Sequence, residues 1–491
     1  MRTLLTADWV VGFDKGDHAL IPKGEVVFSG QTIEYVGRNF PGPVDRRIDY
    51  GRAMIGPGFV DLDALGDLDT EVLTFDNGPW RNLGRIWTED ALRRGPGEAY
   101  TPEEELFKYR YAFTQLIRGG ITTALPITSM LYRAWAESYD EMAGVAAIAD
   151  EIGIRAYLGP CYMSGLTYQR VDGSLAQHWD EGRGMAGLAD AARFIADFDD
   201  TAGGRIRAFL APDRIETQLP SVLARTAALQ REIGVPMRLH CCQSVYEFET
   251  VLALRDHTPL GWLESLGLLT DRAILPHGIY LSGHPQVSLG GDSDMQRLVA
   301  SGATVAHCPI VFGRDGEALA SFASYRAKGV RFGMGTDTHP ADMVENIRLG
   351  RMLSLLMGGT PPAAAADFYR AATLGGADAL GRSDLGRLSP GAKADITVFD
   401  LSGFHLGQVL DPIKAMALAG SGRDFRASFI DGREVMADFA VIGSDSAALT
   451  EAADRQILKA RAIHADRAPG RPKVDDIFRP AFPVLTAGSS S

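Results

Sequence analysis

Cysteine is scarce. Four residues in a chain of 491, at Cys161, Cys241, Cys242 and Cys308, are too scattered to build a disulfide framework. A reducing, cytoplasmic setting is the expectation. No stretch of about 18 apolar residues occurs, so a membrane-spanning helix is not expected. The opening MRTLLTADWVVGFDKGD lacks the basic-then-apolar order of a secretory leader. Lysine and arginine never gather into a basic run, and the net charge is −13. That balance argues against a nucleic-acid partner, which would need a cationic face for the phosphates. A GxGxxG loop after the first strand is also missing, against a doubly wound dinucleotide-binding sheet.

What is present is the composition of a globular protein, 46% hydrophobic and 23% charged. The length calls for two domains, or one large barrel with an appendage. Short β-rich segments fill the N-terminal end: Thr3–Val11, Glu25–Ser29 and Thr32–Val36. Similar segments return near Asp395–Asp400 and Ala427–Ile430. A composite β-sandwich is therefore expected from residues 1–55 and 385–447. Between them, apolar runs alternate with helical stretches, as in Glu103–Arg118 followed by Ile121–Pro126. With Met54–Asp61 as the first, eight such strands predict an α/β fold, a (β/α)8 TIM barrel over residues 56–384. Residues 448–491 read as a C-terminal helix, Ala448–Ala462, and an extended tail from Ala468.

Reacting groups of a TIM barrel stand at the C-terminal ends of its strands. The chain has ten histidines, and three of them end successive predicted strands: His240, His277 and His307. The eighth strand ends at Asp337, with His339 two residues on, and the first at Asp61-Leu62-Asp63-Ala64-Leu65.

These residues, with PGFVD, RGGITT, HGIYLS and GTDT, give a chain that resembles the amidohydrolase superfamily, in the branch of cytosine deaminase-like and triazine hydrolase-like proteins. The segment Ala372 to Asp400 is similar to that family's return from barrel to sandwich. The resemblance implies a divalent metal held by an HxH on the first strand, a histidine on the fifth and an aspartate on the eighth. The sixth-strand histidine would position water, and a glutamate three residues beyond the fifth-strand histidine would carry protons. His240, His277 and Asp337 match; Asp63, Leu65 and Gln243 depart.

Residues i and i+2 of a strand face the same way, which is why an HxH can serve one ion. Leu65 cannot ligate, but the Asp63 carboxylate can, so the candidate metal set is Asp63, His240, His277 and Asp337. Zinc is the first expectation, with iron or manganese as alternatives and a metal-free site as the other reading. His277 and Asp337 are the candidate catalytic pair. Gln243, an amide that cannot carry a proton, is a candidate substrate contact with His307 and His339. Asp61, Asp67 and Asp69 add acid near the opening, and Phe75, Trp80 and Trp87 offer either an aromatic wall or a packed lid.

The expected activity is hydrolysis of a non-peptide C–N bond in a small polar or heteroaromatic molecule. A metal-free binding barrel, or a metal-independent lyase or isomerase, is the alternative. The expected partner is a small-molecule substrate, with no nucleic acid and no membrane. The resemblance also implies a homo-oligomer.

Overall fold

The computed structural model describes residues 1–74, 86–95 and 97–484. Eight strands form one parallel sheet in chain order. They are β1 (Phe59–Leu65), β2 (Ile121–Ile127), β3 (Arg155–Leu158), β4 (Ile206–Ala208), β5 (Met237–Arg238), β6 (Ala273–Pro276), β7 (Thr304–His307) and β8 (Arg331–Met334). β8 returns to β1 through Met334 and Asp61. A parallel bridge between Leu210 and Met237 joins β4 to β5. Leu210 donates to the Pro236 carbonyl at 2.9 Å, and Arg238 donates to the Leu210 carbonyl at 2.9 Å. The sheet is thus a closed barrel, with no free edge to protect.

The helices outside the barrel follow from local sequence. Pro102–Arg118 starts in a capping box: Thr101 Oγ1 accepts from the Glu104 amide at 3.3 Å, and the Glu104 carboxylate accepts from the Thr101 amide at 2.8 Å. Tyr109, Phe113, Leu116 and Ile117 recur at helical spacing and are buried.

One expected strand, Met54–Asp61, is two strands in different sheets. Ala53–Pro57 belongs to the terminal sheet and Phe59–Leu65 to the barrel. The chain crosses at Gly58, where a Cβ would collide with the Thr122 side chain. An apolar run reads the same whichever sheet it enters, so the sequence hid the crossing.

Both chain ends build a nine-stranded sheet. Its centre is the antiparallel pairing of Ala53–Pro57 with Ile396–Asp400, and it has its own core of Leu5, Val10, Val26, Ile55, Ile396 and Val398. Buried Arg155 on β3 ties this sheet to the barrel. It donates to Asp395 at 2.9 and 3.0 Å and to Asp431 at 2.6 Å.

Beyond the sheet, the helix Ser446–Arg467 is longer than expected, because Asp445 caps it at its start. The tail is not simply extended: Val474–Ile477 is a short helix, and Ile477 and Phe478 pack on Ala465. Trp87 is buried beneath the Arg467 guanidinium, 3.6 Å from its ring centre. Phe75 and Trp80 lie outside the described residues. Among the described residues, no helix is long and apolar enough to cross a membrane.

Candidate active site

Asp63, His240, His277 and Asp337 gather at one mouth of the barrel, whereas His307 does not join them. β1 carries Asp61, Asp63 and Leu65, all buried, and its pairing with β2 shifts register between Asp61 and Ala64. His240 follows β5 by two residues, His277 follows β6 directly, and Asp337 follows β8 by three. His277 and Asp337 have φ of 75° and 57°, in the left-handed region that non-glycine residues rarely occupy. Such backbone strain concentrates at functional sites.

Oδ2 of Asp63 lies 3.7 Å from Nε2 of His240, and Oδ2 of Asp337 lies 3.7 Å from Nε2 of His277. Both separations are too long for hydrogen bonds. They are close to the roughly 3.3 Å between two ligands on a tetrahedral ion with bonds of about 2.0–2.1 Å. One donor atom each from Asp63, His277, Cys308 and Asp337 falls within 4.8 Å of the others. Oδ1 of Asp63 is buried without a hydrogen-bond partner.

His240 is prepared as a ligand. Its Nδ1 lies 3.0 Å from the Asp213 carbonyl, which only accepts, so Nδ1 carries the hydrogen. Burial and the neighbouring His277 hold the ring well below the usual histidine range, so it is neutral. Nε2 is left as a bare lone pair facing Asp63, as a metal-binding imidazole needs. Burial also pushes His277 down to about 3. Burial and the charge of Asp63 raise the Asp337 carboxyl well above its ordinary value. A divalent cation would compensate this crowding of acids, so the donor set fits a metal, with Asp63 in place of the first missing histidine.

Two supports were not evident in the sequence. Arg238, two residues before His240 and therefore on the same face, donates to the carbonyls of Leu125 at 2.7 Å and Pro126 at 3.0 Å. Its Nε lies 3.5 Å from Oδ1 of Asp63. Burial raises Asp63 to about 6, against the lowering pull of Arg238. Asp61 holds β1 to the segment after β8 by accepting from Thr336 Oγ1 at 2.6 Å and the Thr336 amide at 3.1 Å. The i,i+2 spacing in RLH was the available signal for Arg238; nothing local signalled Thr336.

Gln243 lines the mouth, as a substrate contact would. Glu247 does not replace the missing proton carrier there. Its two oxygens accept from the backbone amides of Cys242 and Gln243, which fixes the loop after β5. Cys241 and Cys242 are buried thiols 3.8 Å apart, and burial raises both. Cys308 donates to Oδ2 of Asp63 at 3.7 Å, and burial with Asp63 raises its thiol too.

The other two expected substrate contacts are placed elsewhere. His307 packs among Phe322, Phe332 and Phe368 and borders a small void that adjoins the main cavity through His277 and Phe312, but it does not line that cavity itself. Its ring faces the outside of the barrel wall because β7 alternates its side chains between the two faces. His339 is half-buried and does not line the cavity; its amide donates to Asp69 at 3.0 Å. Asp67 is paired in the interior with Lys108 at 3.1 Å, so it is a structural acid.

Above the cluster lies a cavity of about 810 Å³, bordered by Leu65, Trp87, Glu137, Met163 and Arg214 along with His240, Gln243, His277 and Asp337. Its size suits a small organic molecule.

A family model described as "Amidohydrolase family" matches residues 75–435. A 5-methylthioadenosine/S-adenosylhomocysteine deaminase of Natronomonas pharaonis is 28% identical over 437 residues, which is 88% of this chain and 92% of the relative. An adenosine deaminase of Xanthomonas campestris with bound zinc has a TM-score of 0.76 at 22% identity, covering 94% of this chain and 98% of that one. A mutant of atrazine chlorohydrolase from Arthrobacter aurescens TC1, complexed with zinc and atraton, has a TM-score of 0.75 at 20% identity, covering 93% and 100%. The chain belongs to the amidohydrolase family. It is an enzyme, a metal-dependent hydrolase.

Proposed function

We propose that this enzyme hydrolyses a C–N bond on a small heteroaromatic molecule, releasing an amine or ammonia, at a divalent centre held by Asp63, His240, His277 and Asp337. The gathering of Asp63, His277 and Asp337 within 4.8 Å, with His240 Nε2 3.7 Å from Asp63, supports the reading. The deaminase named among the relatives supports the bond class. Zinc is the proposed ion, since two carboxylates and two imidazoles form an acceptable zinc set.

When bound, such an ion supplies Lewis acidity and makes a water more acidic. The chain's own groups do the rest. The ionised Asp337 carboxylate, with Oδ2 beside His277, would take up the proton of the attacking water and pass it to the leaving nitrogen. His277, kept neutral by burial, stands beside Asp337 and confines that water to the side facing it. Gln243 binds the ring through its amide and transfers no proton. The cavity walls, including Trp87 and Met163, exclude bulk water and supply apolar surface for a flat ring.

The test is metal stoichiometry together with ammonia release. Wild-type protein loaded with zinc should hold about one ion per chain, and His240→Ala and Asp63→Ala should lose it. Far less than one ion in the wild type, with any divalent metal supplied, overturns the reading.

A further inference from the structure

Arg214 stands level with His240. The two residues form a parallel bridge, the Asp213 carbonyl accepts from the His240 amide at 3.2 Å, and the His240 carbonyl accepts from the Ile215 amide at 3.1 Å. The side chain borders the active-site cavity and is exposed within it. The same cavity is bordered by His240, Gln243, His277 and Asp337, so the guanidinium shares the site with the proposed donors.

The guanidinium is unengaged. Among the described residues it donates no hydrogen bond, and no carboxylate oxygen lies within 4.0 Å of it. The other arginines of the cavity are consumed: Arg238 by two carbonyls and Asp63, Arg314 by Thr338 Oγ1 at 2.8 Å and the His339 carbonyl. The charges of Asp213, Glu216, Asp337 and Glu247 all act on Arg214, but among the described residues none of these acids forms a hydrogen bond or an ion pair with its guanidinium. An arginine with five free donors inside a cavity calls for an anion, and its planar fork matches a carboxylate in two parallel hydrogen bonds.

We propose that Arg214 anchors a carboxylate on the substrate, so that the enzyme acts on amino-substituted heteroaromatic acids in preference to neutral rings. The C–N substrate class rests on the reading under Proposed function; the anion anchor rests on Arg214 alone. The anchor holds one edge of the ring at β4 and turns the amino-bearing carbon toward His277 and Asp337. Arg214 is then a specificity-determining residue that moves no proton.

The test uses matched probes: 4-aminopyrimidine-5-carboxylate and cytosine-5-carboxylate, each against its carboxamide. Binding to the zinc-loaded enzyme is measured by calorimetry, with ammonia release followed in parallel, for wild type, Arg214→Gln and Arg214→Lys. We expect at least one carboxylate to bind the wild type about tenfold or more tightly than its amide, as a charge-assisted bidentate contact should. The ratio should fall to about one in Arg214→Gln and be partly kept in Arg214→Lys, with bound zinc and melting midpoint unchanged. A carboxylate that binds through the ion alone would keep its preference in Arg214→Gln, and that result overturns the anchor. Equal binding of acid and amide, or no binding of either at millimolar concentration, overturns it as well. An Arg214-dependent preference without ammonia release from any probe leaves the anchor standing and counts against the C–N reading.

Discussion

Nε of Arg238 stands 3.5 Å from Oδ1 of Asp63. The carboxylate that replaces the first missing histidine therefore shares its charge with a fixed cation from the neighbouring face of the barrel. Ion and guanidinium compete for one carboxylate, through different oxygens. Oδ1 faces Arg238, while Oδ2 faces His240 and the thiol of Cys308. Arg238 thus holds Asp63 in place without blocking the oxygen that a metal would use.

Arg238→Met is expected to loosen the metal-free protein and tighten its hold on zinc. Removing one partner of a buried charge pair costs about 3 kcal/mol, because the other is left uncompensated. A divalent ion can supply the missing charge, so zinc should raise the melting midpoint more in the variant than in the wild type. Chelator competition should show zinc affinity rising by about tenfold, the direction set by removal of a nearby positive charge. Equal zinc stabilisation in both proteins would show that Arg238 acts only on the carbonyls of Leu125 and Pro126.

Gln243→Glu is expected to restore a proton carrier. The site places this residue beside His240 on the cavity wall, and Glu247 holds its backbone from behind. A positioned acid–base group contributes about 10²-fold or more to proton transfer. Ammonia release from one substrate should rise at least about tenfold over wild type, with bound zinc unchanged. A variant no faster than wild type would show that proton transfer at this position does not limit the rate.

The sequence made the barrel legible, together with the strand ends at which the candidate residues stand, and for a physical reason. Strand ends are marked by periodicity, and His240, His277 and Asp337 stood at those marks. His307 stood at the same kind of mark, yet its side chain turns to the other face, among phenylalanines. One register step separates the two outcomes, and no apolar run encodes that step. Arg214 was hidden because β4 is short and irregular, ending at Ala208 before a second short pairing at Ala211–Pro212. The pairing of Arg155 with Asp395 spans 240 positions of chain, a distance no local pattern reports.

Arg155 supplies the third prediction. It is fully buried and donates to both oxygens of Asp395 and to Oδ1 of Asp431, and the Asp431 amide also donates to Asp395 at 2.8 Å. Arg155→Met should cost about 3–5 kcal/mol, since Asp395 would lose its counter-charge and Asp431 would be left with Lys393, 3.5 Å away. The loss should appear as a lower melting midpoint. Combining it with Asp395→Asn and Asp431→Asn should recover part of that loss, because neutral amides replace the stranded charges. If the triple variant melts no higher than the single one, the link works through shape and not charge.

His18 gives stability a pH dependence away from the metal site. Its Nε2 lies 2.8 Å from Thr373 Oγ1, and its ring meets Tyr369 edge-on with centres 5.1 Å apart. The terminal sheet is thereby fastened to the segment after the barrel. Burial pushes the imidazole down to about 4, opposed by Asp17 and helped by Arg370 and Arg387. In the unfolded chain it titrates near 6.5. Above that pH both states are neutral and the group has no effect. As pH falls from 6.5 towards 4 the unfolded chain takes up a proton that the folded one refuses, so stability falls across that window. At pH 5 the penalty is about 2 kcal/mol, before discounting for the partial exposure of the ring. His18→Gln keeps a donor for Thr373 and removes the titration. Between pH 7.5 and 5.0 its melting midpoint should therefore fall less than that of the wild type, by about 2 °C. Parallel falls in the two proteins would mean that His18 is protonated in the folded state and that its burial does not control the charge.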